Sequence, residues 1–560
     1  MAARFELTKL QKADGAPLTK HIELDAEGRI TNDSSACGMS RGTAERFQFD
    51  NAEQLAAFIA GCQSDQAFAL GRLRSDLVDT ANVVTKKNLN GAAPGTIART
   101  KDYIGYRDGA PAWGVIDFDR KGMSLAVVAR LSELGDLVAA LSSVCPEIAR
   151  TTRIIRASTS AGIRRSDTGE SFDGIGGVHI YFEVRDGSDI PRFLKTLHER
   201  CWLAGLGWYV LDIAGRLLER SIVDRMVGSP ERLQFEGPPQ LDSPLVQDTD
   251  SRRPQVIAGV PLDTATTCPP LAYDERARLE RLQADTKAQL KPEAARVREA
   301  YIAARAPGLA ARAGISVAEA KKILVKQCDN TLFPDLILPF DDPELEGCTV
   351  ADVLDDPERF HEATLADPVE GIGYGPNKAQ LYCNADGSIV IHSFAHGGIN
   401  YRLRRDYRNA ATVLQNADVD DTAELFRRII REDDDNDLDP IETELLRNMV
   451  HEITGIGKRT LDKIIKAERQ AQTAARKAEM REHRIAEAAS ERVVLDRPAD
   501  DAEWLPLMNQ IGEILDNVED TKPPARDIEH DGVGVRERRL KSLHLLTSET
   551  VNLPEEEPKA

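Results

Sequence analysis

The sequence lacks the features that mark membrane-spanning, secreted and disulfide-stabilised proteins. No apolar run approaches the roughly 18 residues of a membrane span, and the N-terminal residues MAARFELTKLQK contain no apolar core followed by a cleavage site. The eight cysteines form no CxxC pair and have no spacing typical of a disulfide framework or a zinc knuckle. We therefore expect a cytoplasmic protein whose cysteines are reduced and mostly buried.

The sequence also lacks an excess of positive charge. Its formal net charge of −20 argues against a protein that coats nucleic acid non-specifically, because phosphate binding needs concentrated Lys and Arg. Any contact with nucleic acid must then come from a local patch. The segment 148–166 contains five arginines and no acidic residue, a pattern that fits either a solvated basic face or a binding surface.

At 560 residues the chain is too long for one hydrophobic core, and an allowance of about 150 residues per domain predicts three or four modules. Strand-like and helical patterns are mixed along the chain, which predicts an α+β fold. The predicted divisions are a small α/β region at 1–70, a catalytic-sized domain at 75–240, a linker at 241–273, a helical segment at 274–329, a small β-rich module at 330–405, a helical module at 406–475, and a charged helix with a largely disordered tail at 476–560.

Two acidic residues stand in the apolar run WGVIDFDRKG (113–122). On a β-strand, Asp117 and Asp119 project to one face while Ile116 and Phe118 project to the other. Two neighbouring carboxylates suit Mg²⁺ or Mn²⁺, and two such ions can activate an attacking hydroxyl and neutralise a transferring phosphate. The alternative is a strand end with two exposed acids, since this two-residue spacing is common.

Later segments carry the other candidate residues. In GIGGVHIYFEV (174–184), His179 and Tyr181 share one face of a predicted strand, although a lone histidine there is more often structural than catalytic. Its glycines form no dinucleotide-binding fingerprint, because no helix with the required opening follows. Asp224 follows an apolar pair of residues and supplies a third carboxylate, with Asp212 as a competing third carboxylate.

These segments, taken in order, resemble the archaeo-eukaryotic primase superfamily. The similarity rests on an hhhDhD strand, a later small-x-His strand and a still later hhD, together with the stretches RASTSAG (156–162) and PERLQFEGPP (230–239). It looks like the primases of plasmids, phages and integrative elements. The resemblance covers about residues 75–245 and extends weakly to 330–405. It implies a primase-type catalytic domain with an RRM-like antiparallel sheet, followed by helical and small β modules.

The resemblance also implies roles for individual residues. Asp117, Asp119 and Asp224 would hold two Mg²⁺ or Mn²⁺ ions, and His179 would contact the phosphates of the incoming nucleotide. Phosphoryl transfer depends on positioning and charge neutralisation more than on covalent catalysis, which agrees with this set of side chains. Further candidates for nucleotide or template contacts are Arg156, Ser158, Ser160 and Arg232. Gly177 stands where the family often has serine, which removes a hydrogen bond without affecting metal binding.

The segment KAQLYCNADGSIVIHSFAHGG (378–398) is similar to the strand-turn-strand of bacterial primase zinc ribbons. Cys383, His392 and His396 could supply three zinc ligands, but a structural zinc site needs four. With no second cysteine pair we expect no zinc there. We interpret the segment as a metal-free relic or a template-binding module.

The segment EITGIGKRTLDKII (452–465) resembles a helix-hairpin-helix. Its turn, with Gly455 and Gly457, would expose backbone N–H groups to a DNA phosphate, and Lys458 would add charge. The alternative is an ordinary glycine turn between packed helices. It is not a P-loop, because Glu452 stands where the first glycine is required and the chain has no other GxxxxGK[ST]. We therefore expect any helicase to act in trans.

Together these patterns predict a primase or primase-polymerase of a mobile genetic element. Its partners would be a single-stranded DNA template and NTPs or dNTPs, and it would have no membrane contact. One alternative is a non-catalytic replication initiator or DNA-binding regulator that retains the primase fold. Another is a structural adaptor for a separately encoded helicase.

Overall fold

The computed structural model describes residues 5–490, apart from positions 78, 121, 173–176, 385–387, 396–397 and 434–437, and apart from the side chains at 87, 479 and 483–490. Contacts within the chain divide it into two units after Glu491. All of the described residues belong to the first unit. The tail predicted within 476–560 lies outside the described residues from position 491 onward.

The N-terminal part is built around a five-stranded sheet. Its elements are β1 (Phe5–Lys12), β2 (His21–Leu24), β3 (Ile30–Asp33), β4 (Gly42–Phe49), α1 (Ala52–Gly61), β5 (Gln66–Ala69), β6 (Arg72–Leu73), β7 (Thr80–Val84), β8 (Thr96–Ala98) and β9 (Ile104–Gly105). The sheet order is β5-β1-β4-β7-β8, antiparallel except for the β7–β8 pair. Helix α1 begins after Asn51, whose side chain accepts the Gln54 N–H at 3.0 Å and so satisfies one free donor of the first turn.

The central part contains a four-stranded antiparallel sheet. Its elements are β10 (Ala112–Phe118), α2 (Leu125–Leu134), α3 (Leu137–Val144), β11 (Arg153–Ala157), β12 (Ile163–Arg165), β13 (Val178–Val184), α4 (Ile190–Leu203), β14 (Gly207–Leu211), β15 (Leu217–Ser221), β16 (Gln240–Leu241), β17 (Leu245–Gln247), β18 (Gln255–Ile257) and α5 (Thr264–Thr267). The sheet order is β10-β13-β11-β18. Strands β14 and β15 form a separate hairpin. The fold of this part is therefore mixed α and β, with β13 at the interior of its main sheet.

One hydrophobic core joins the N-terminal and central parts. Phe5 of β1 packs edge-on against Trp113 of β10, with ring centroids 6.0 Å apart. Phe68 of β5 packs on Tyr181 of β13 at 5.9 Å. All four belong to the same buried cluster. The predicted division between residues 70 and 75 is therefore wrong, because a domain boundary requires that few contacts cross it.

The segment predicted as a linker, 241–273, is part of the central fold. Its strand β18 forms one edge of the main sheet, and β17 pairs with β12. Strand β16, at the start of the segment, pairs in parallel with β2. A Cβ at Gly259 would lie 2.2 Å from the carbonyl oxygen of Arg150, so the backbone here is in close contact with the domain. The linker interpretation is wrong because strands of two or three residues between prolines give no detectable hydrophobic period.

The next part combines four helices with a second five-stranded sheet. Its elements are α6 (Tyr273–Ala313), α7 (Val317–Cys328), β19 (Thr331–Leu332), α8 (Val350–Asp355), α9 (Pro357–Phe360), β20 (Thr364–Leu365), β21 (Ala379–Cys383), β22 (Ile389–Ser393) and β23 (Ile399–Leu403). The sheet order is β19-β23-β22-β21-β20. Tyr301 of α6, Leu324 of α7 and Tyr401 of β23 belong to one buried cluster. The two predicted modules at 274–329 and 330–405 therefore share a core.

The last described part is helical. It consists of α10 (Tyr407–Asn416), α11 (Val419–Glu432), α12 (Pro440–Thr454) and α13 (Lys458–Ser490). Phe426, Leu446, Val450 and Leu461 form its buried centre. Among the helices in the described residues, none is both long enough and apolar enough to cross a membrane.

Candidate functional site

Two of the candidate residues lie opposite each other in the central sheet. Strands β10 and β13 are antiparallel neighbours whose register pairs Asp117 with His179. His179 Nε2 lies 3.6 Å from Asp117 Oδ1. Most apolar residues of β10 are buried, whereas Asp119 follows one position beyond the end of the strand and is exposed. The sheet thus delivers one carboxylate beside an imidazole and a second carboxylate at the adjacent surface.

Asp224 reaches β10 from a different part of the chain. It follows the buried pair Ile222 and Val223 and begins a short 3₁₀ turn over Arg225–Gly228, where its side chain accepts the Met226 N–H at 2.8 Å. This turn packs against β10. Burial of the apolar pair therefore fixes the third predicted carboxylate at the strand that carries the first.

The electrostatics of Asp117 link it to both of the other candidate carboxylates. Burial raises the pKa of Asp117, the neighbouring His179 lowers it, and the negative charges of Asp224 and Asp119 raise it again, so that it lies above its usual value. The positive charge of Lys20 acts on the same carboxylate in the lowering direction. Residues distant in sequence thus influence one titrating group, as a shared site requires.

Because the pKa of Asp117 is higher in the folded protein than in the unfolded chain, its ionised form disfavours folding. This destabilisation is present above the folded-state pKa and absent below the usual value of 3.8. We expect Asp117→Asn to stabilise the metal-free protein at pH 7.5. The gain should be less than about 1 kcal/mol, because the side chain is 41% exposed and water screens its repulsions.

Thermal unfolding in the presence of a chelator tests this expectation. The Asp117→Asn variant should be more stable than the wild type at pH 7.5, and this difference in stability should shrink as the pH falls toward 4. Asp250→Asn, at an exposed position, should change the stability little at either pH. A variant that is less stable than the wild type at pH 7.5 would contradict the proposed convergence of charges.

The competing carboxylate, Asp212, has a different role in the structure. Its side chain accepts the backbone N–H groups of Ala214 and Arg216 at 2.9 and 2.7 Å and forms an ion pair with the Arg216 guanidinium. Arg216 also donates to Tyr401 Oη at 2.8 Å. Asp212 therefore stabilises the turn between β14 and β15 and its attachment to β23.

Behind His179 lies a buried carboxylate, Glu236, which the sequence patterns did not single out. His179 Nδ1 is 2.6 Å from Glu236 Oε1, and Tyr181 Oη donates to the same oxygen at 2.7 Å. Arg156 Nη1 donates to Glu236 Oε2 at 2.9 Å, and Arg252 Nη2 lies 3.5 Å from it. Burial acts to raise the pKa of Glu236, but His179 and Arg156 hold it below its usual value. The carboxylate is therefore ionised at neutral pH.

Arg156, predicted to contact nucleotide or template, points into the protein. Its side chain is 6% exposed. Besides Glu236, its guanidinium donates to the carbonyl oxygens of Ile59 at 2.7 Å and Arg252 at 3.0 Å, which ties α1 and the segment before β18 to the sheet. These are the contacts of a positioning residue, and direct contact with nucleotide or template stays a prediction.

The other predicted contact residues lie just after β11 and in the segment that follows Asp224. Ser158 and Ser160 are nearly buried just after β11, with their Oγ atoms 3.4 Å apart. Arg232 is exposed, and it donates to the carbonyl oxygen of Met226 at 3.2 Å, close in sequence to Asp224. Their roles toward a ligand stay predictions.

Gly177 has no room for a side chain. A Cβ at this position would lie 2.2 Å from the carbonyl oxygen of Phe118. Its N–H donates to Ser158 Oγ at 2.9 Å. A side chain could be accommodated only by separating β10 from β13 beside the pair Asp117–His179, so glycine is required for this approach.

We expect Gly177→Ser to destabilise the protein by about 1–3 kcal/mol, the usual range for overpacking. Gly61→Ser is a matched control, because a Cβ at Gly61 would meet nothing within 4 Å. Urea unfolding of both variants checks the prediction. Equal stability of the Gly177 and Gly61 variants would show that β10 and β13 can move apart at this point without destabilising the protein.

No family model, curated protein or solved structure matches the chain.

The donor set suits a hard divalent cation. Asp117, Asp119 and Asp224 offer only carboxylate oxygens, which Mg²⁺ and Mn²⁺ prefer. Within the part of the chain that the structure describes, no three His, Cys, Asp or Glu side chains are already arranged around a common ion position. Burial and, to a smaller extent, repulsion from Asp224 and Asp119 raise the pKa of Asp117. A cation between the carboxylates would relieve both effects, so the chemistry of these residues fits such an ion.

The residues considered for zinc lie on the second five-stranded sheet. Cys383 and His392 are on the neighbouring strands β21 and β22 but three pairing positions apart, a separation of about 10 Å along the strands. His392 Nδ1 is 2.6 Å from Asn400 Oδ1. His396 lies outside the described residues.

The glycine turn between α12 and α13 is exposed. Gly455 ends α12 in the left-handed conformation, with φ of 70°, and Gly457 precedes Lys458, the first residue of α13. Buried Val450 and Leu461 pack the two helices together. This arrangement is consistent with either interpretation of the sequence, and contact of Gly455, Gly457 and Lys458 with a DNA backbone stays a prediction.

Sequence reasoning missed two residues of the site. Glu236 lies in PERLQFEGPP (230–239), where an acidic residue between an aromatic residue and Gly-Pro was a usable signal. Lys20 precedes β2, and its carbonyl oxygen accepts the Gln240 N–H at 2.9 Å. Nothing in the sequence around Lys20 indicates that its charge acts on Asp117 in the folded protein.

Proposed function

We propose that this chain is a primase or primase-polymerase that joins nucleotides on a single-stranded DNA template in a reaction dependent on divalent metal ions. The observation that carries the proposal is the direct pairing of Asp117 with His179 on adjacent antiparallel strands, with Asp119 and Asp224 acting on the charge of Asp117. Carboxylates that could hold divalent ions, together with an imidazole that could contact a phosphate, suit phosphoryl transfer, which depends on positioning and charge neutralisation.

Each residue has a role in this proposal. Asp117, Asp119 and Asp224 would hold two Mg²⁺ or Mn²⁺ ions, which when bound neutralise charge on the phosphates and activate the attacking 3′-hydroxyl. His179, with both ring nitrogens protonated, would donate from Nε2, which faces Asp117, to a phosphate oxygen of the incoming nucleotide. The positive charge of Lys20 acts on Asp117 and His179 and would favour a polyphosphate at the same place.

The surrounding architecture supports the proposal without carrying it. The sheet β10-β13-β11-β18 is antiparallel throughout, as in the RRM-like sheet that the sequence resemblance implies. The catalytic candidates lie on its β10 and β13 strands and on the turn beside β10. We propose that this sheet is the centre of a primase-type domain and that any helicase acts in trans.

An incorporation assay tests the proposal. The purified chain is incubated with a single-stranded template, a labelled nucleotide and either Mg²⁺ or Mn²⁺, with NTPs and dNTPs in separate reactions, and the products are separated on a gel. We expect labelled products whose length follows the template. Template binding without incorporation under every condition would favour a non-catalytic replication initiator or DNA-binding regulator and would contradict the proposed enzyme.

A further inference from the structure

The contacts of Glu236 are divided between its two oxygens. Oε2 faces the guanidinium groups of Arg156 and Arg252, at 2.9 and 3.5 Å. Oε1 accepts from Tyr181 at 2.7 Å and lies 2.6 Å from His179 Nδ1. Oε2 thus faces the positive charges that compensate the carboxylate, and Oε1 contacts two side chains of β13.

A carboxylate in this position is costly unless it is well compensated. Glu236 has no exposed surface, and burying an ion is unfavourable unless its partners satisfy it. Well-packed apolar residues generally stabilise a protein as well as a buried ion pair does. Stability alone therefore does not explain why Glu236 and two arginines are buried together.

The chain fixes Glu236 from both sides. A Cβ at Gly237, the next residue, would lie 2.1 Å from the carbonyl oxygen of Gln63. On the preceding side, Gln234 and Phe68 exchange backbone hydrogen bonds at 2.7 and 3.2 Å. The carboxylate is therefore held on a short backbone segment that is clamped to the N-terminal part.

The position of Glu236 determines how His179 is oriented. An ionised carboxylate can only accept hydrogen bonds, so the proton of this contact is on His179 Nδ1. A hydrogen bond at one ring nitrogen fixes the orientation and the task of the other. His179 Nε2 is then left facing Asp117 at 3.6 Å, and rotation of the ring would break the bond to Glu236.

We propose that Glu236 is a positioning residue that holds the His179 ring with Nε2 directed at the phosphates of the incoming nucleotide, with Tyr181 and Arg156 fixing the carboxylate. This inference rests on the proposed function for its kinetic consequence. The orientation of the ring is a structural claim that can be measured independently of any activity.

The kinetic test replaces Glu236 with glutamine. At metal-ligating histidines, loss of the partner that orients the ring commonly lowers activity by about 10- to 100-fold, and we expect an effect of the same order for a histidine that contacts phosphate. We expect Glu236→Gln to raise the KM for the nucleotide by about tenfold or more, with a smaller change in kcat, and to leave the affinity for single-stranded template unchanged. Glu183→Gln is the matched control, because Glu183 lies on the same strand but pairs with Trp113.

A spectroscopic test does not depend on activity. With ¹⁵N-labelled histidine, the resonance of His179, assigned from the His179→Gln variant, should show a protonated Nδ1 in the wild type and a changed pattern in Glu236→Gln. Tyr181→Phe, which removes one hydrogen bond and no charge, should give a smaller change. Unaltered His179 signals in a folded Glu236→Gln protein would overturn the inference.

The outcomes separate the two proposals. If the wild type incorporates no nucleotide, the proposed function fails, while the resonances of His179 still decide the role of Glu236. If Glu236→Gln unfolds, Glu236→Gln combined with Arg156→Gln removes both charges of the pair and is tested in the same two ways. A folded variant with an unchanged KM for the nucleotide contradicts the positioning role.

Discussion

Replacing Asp117 and Asp119 together by asparagine is expected to reduce nucleotide incorporation by at least about a thousandfold. Removing a single electrostatic contact to the transition state commonly lowers kcat by about 10²–10³-fold, and this change removes two charges that would bind the metal ions. Neither residue is part of the hydrophobic core, since Asp117 is 41% exposed and Asp119 is exposed. The variant should therefore fold and still bind template.

The chain contains a matched control for this double change. Asp248 and Asp250 are two exposed acidic residues at the same spacing, and the Asp248 carboxylate accepts the Asp250 N–H at 3.0 Å. Replacing both by asparagine changes the net charge equally and should leave incorporation within about twofold, as for surface substitutions away from a site. A folded Asp117/Asp119 variant that incorporates nucleotides as fast as this control would remove both residues from the reaction.

The second large effect concerns stability. We expect Arg156→Met to lower the free energy of unfolding by about 3–5 kcal/mol, because it removes the closer cationic partner of a buried carboxylate and leaves Oε2 facing only Arg252, at 3.5 Å. The charge left behind is that of Glu236, which has no exposed surface. Urea unfolding followed by tryptophan fluorescence measures this loss, since Trp113, Trp202 and Trp208 all lie in the central part.

The pH dependence gives this prediction a second test. The pKa of Glu236 is lowered in the folded protein, so its ionised form contributes stability above the usual value of 4.5 and loses that contribution as the pH falls. The difference in the free energy of unfolding between Arg156→Met and the wild type should therefore become smaller as the pH falls below about 4.5. Arg150→Met, at a side chain that is 77% exposed, should stay within about 0.5 kcal/mol of the wild type. Equal stability of the two variants would contradict the buried pair.

Long, regular elements of the fold could be predicted from the sequence because they repeat a pattern. The apolar runs around Asp117 and His179 indicate strands, and the structure has β10 and β13 there. The divisions between domains could not be predicted, because they depend on contacts between distant residues. Phe5 and Trp113 are far apart in the sequence and adjacent in the core, and a three-residue strand such as β18 has no pattern of its own.

The same distinction holds for the candidate site. Asp117, Asp119, His179 and Asp224 could be proposed because each follows or interrupts an apolar run in a recognisable order. The partners of His179 could not be proposed, since Glu236 becomes meaningful only when its segment folds against β13. The role of Gly177 was also hidden, because the carbonyl oxygen of Phe118 that excludes a side chain there belongs to another strand.

The central claim is that Asp117, Asp119 and Asp224 form one cation-binding pocket beside His179. Titration with Mn²⁺, followed by electron paramagnetic resonance in the presence of nucleotide, tests it most directly. We expect the wild type to bind Mn²⁺. The affinity for Mn²⁺ should be at least tenfold weaker in Asp117→Asn and, separately, in Asp224→Asn, and unchanged in Asp250→Asn. Equal Mn²⁺ binding by the wild type and all three variants would contradict it.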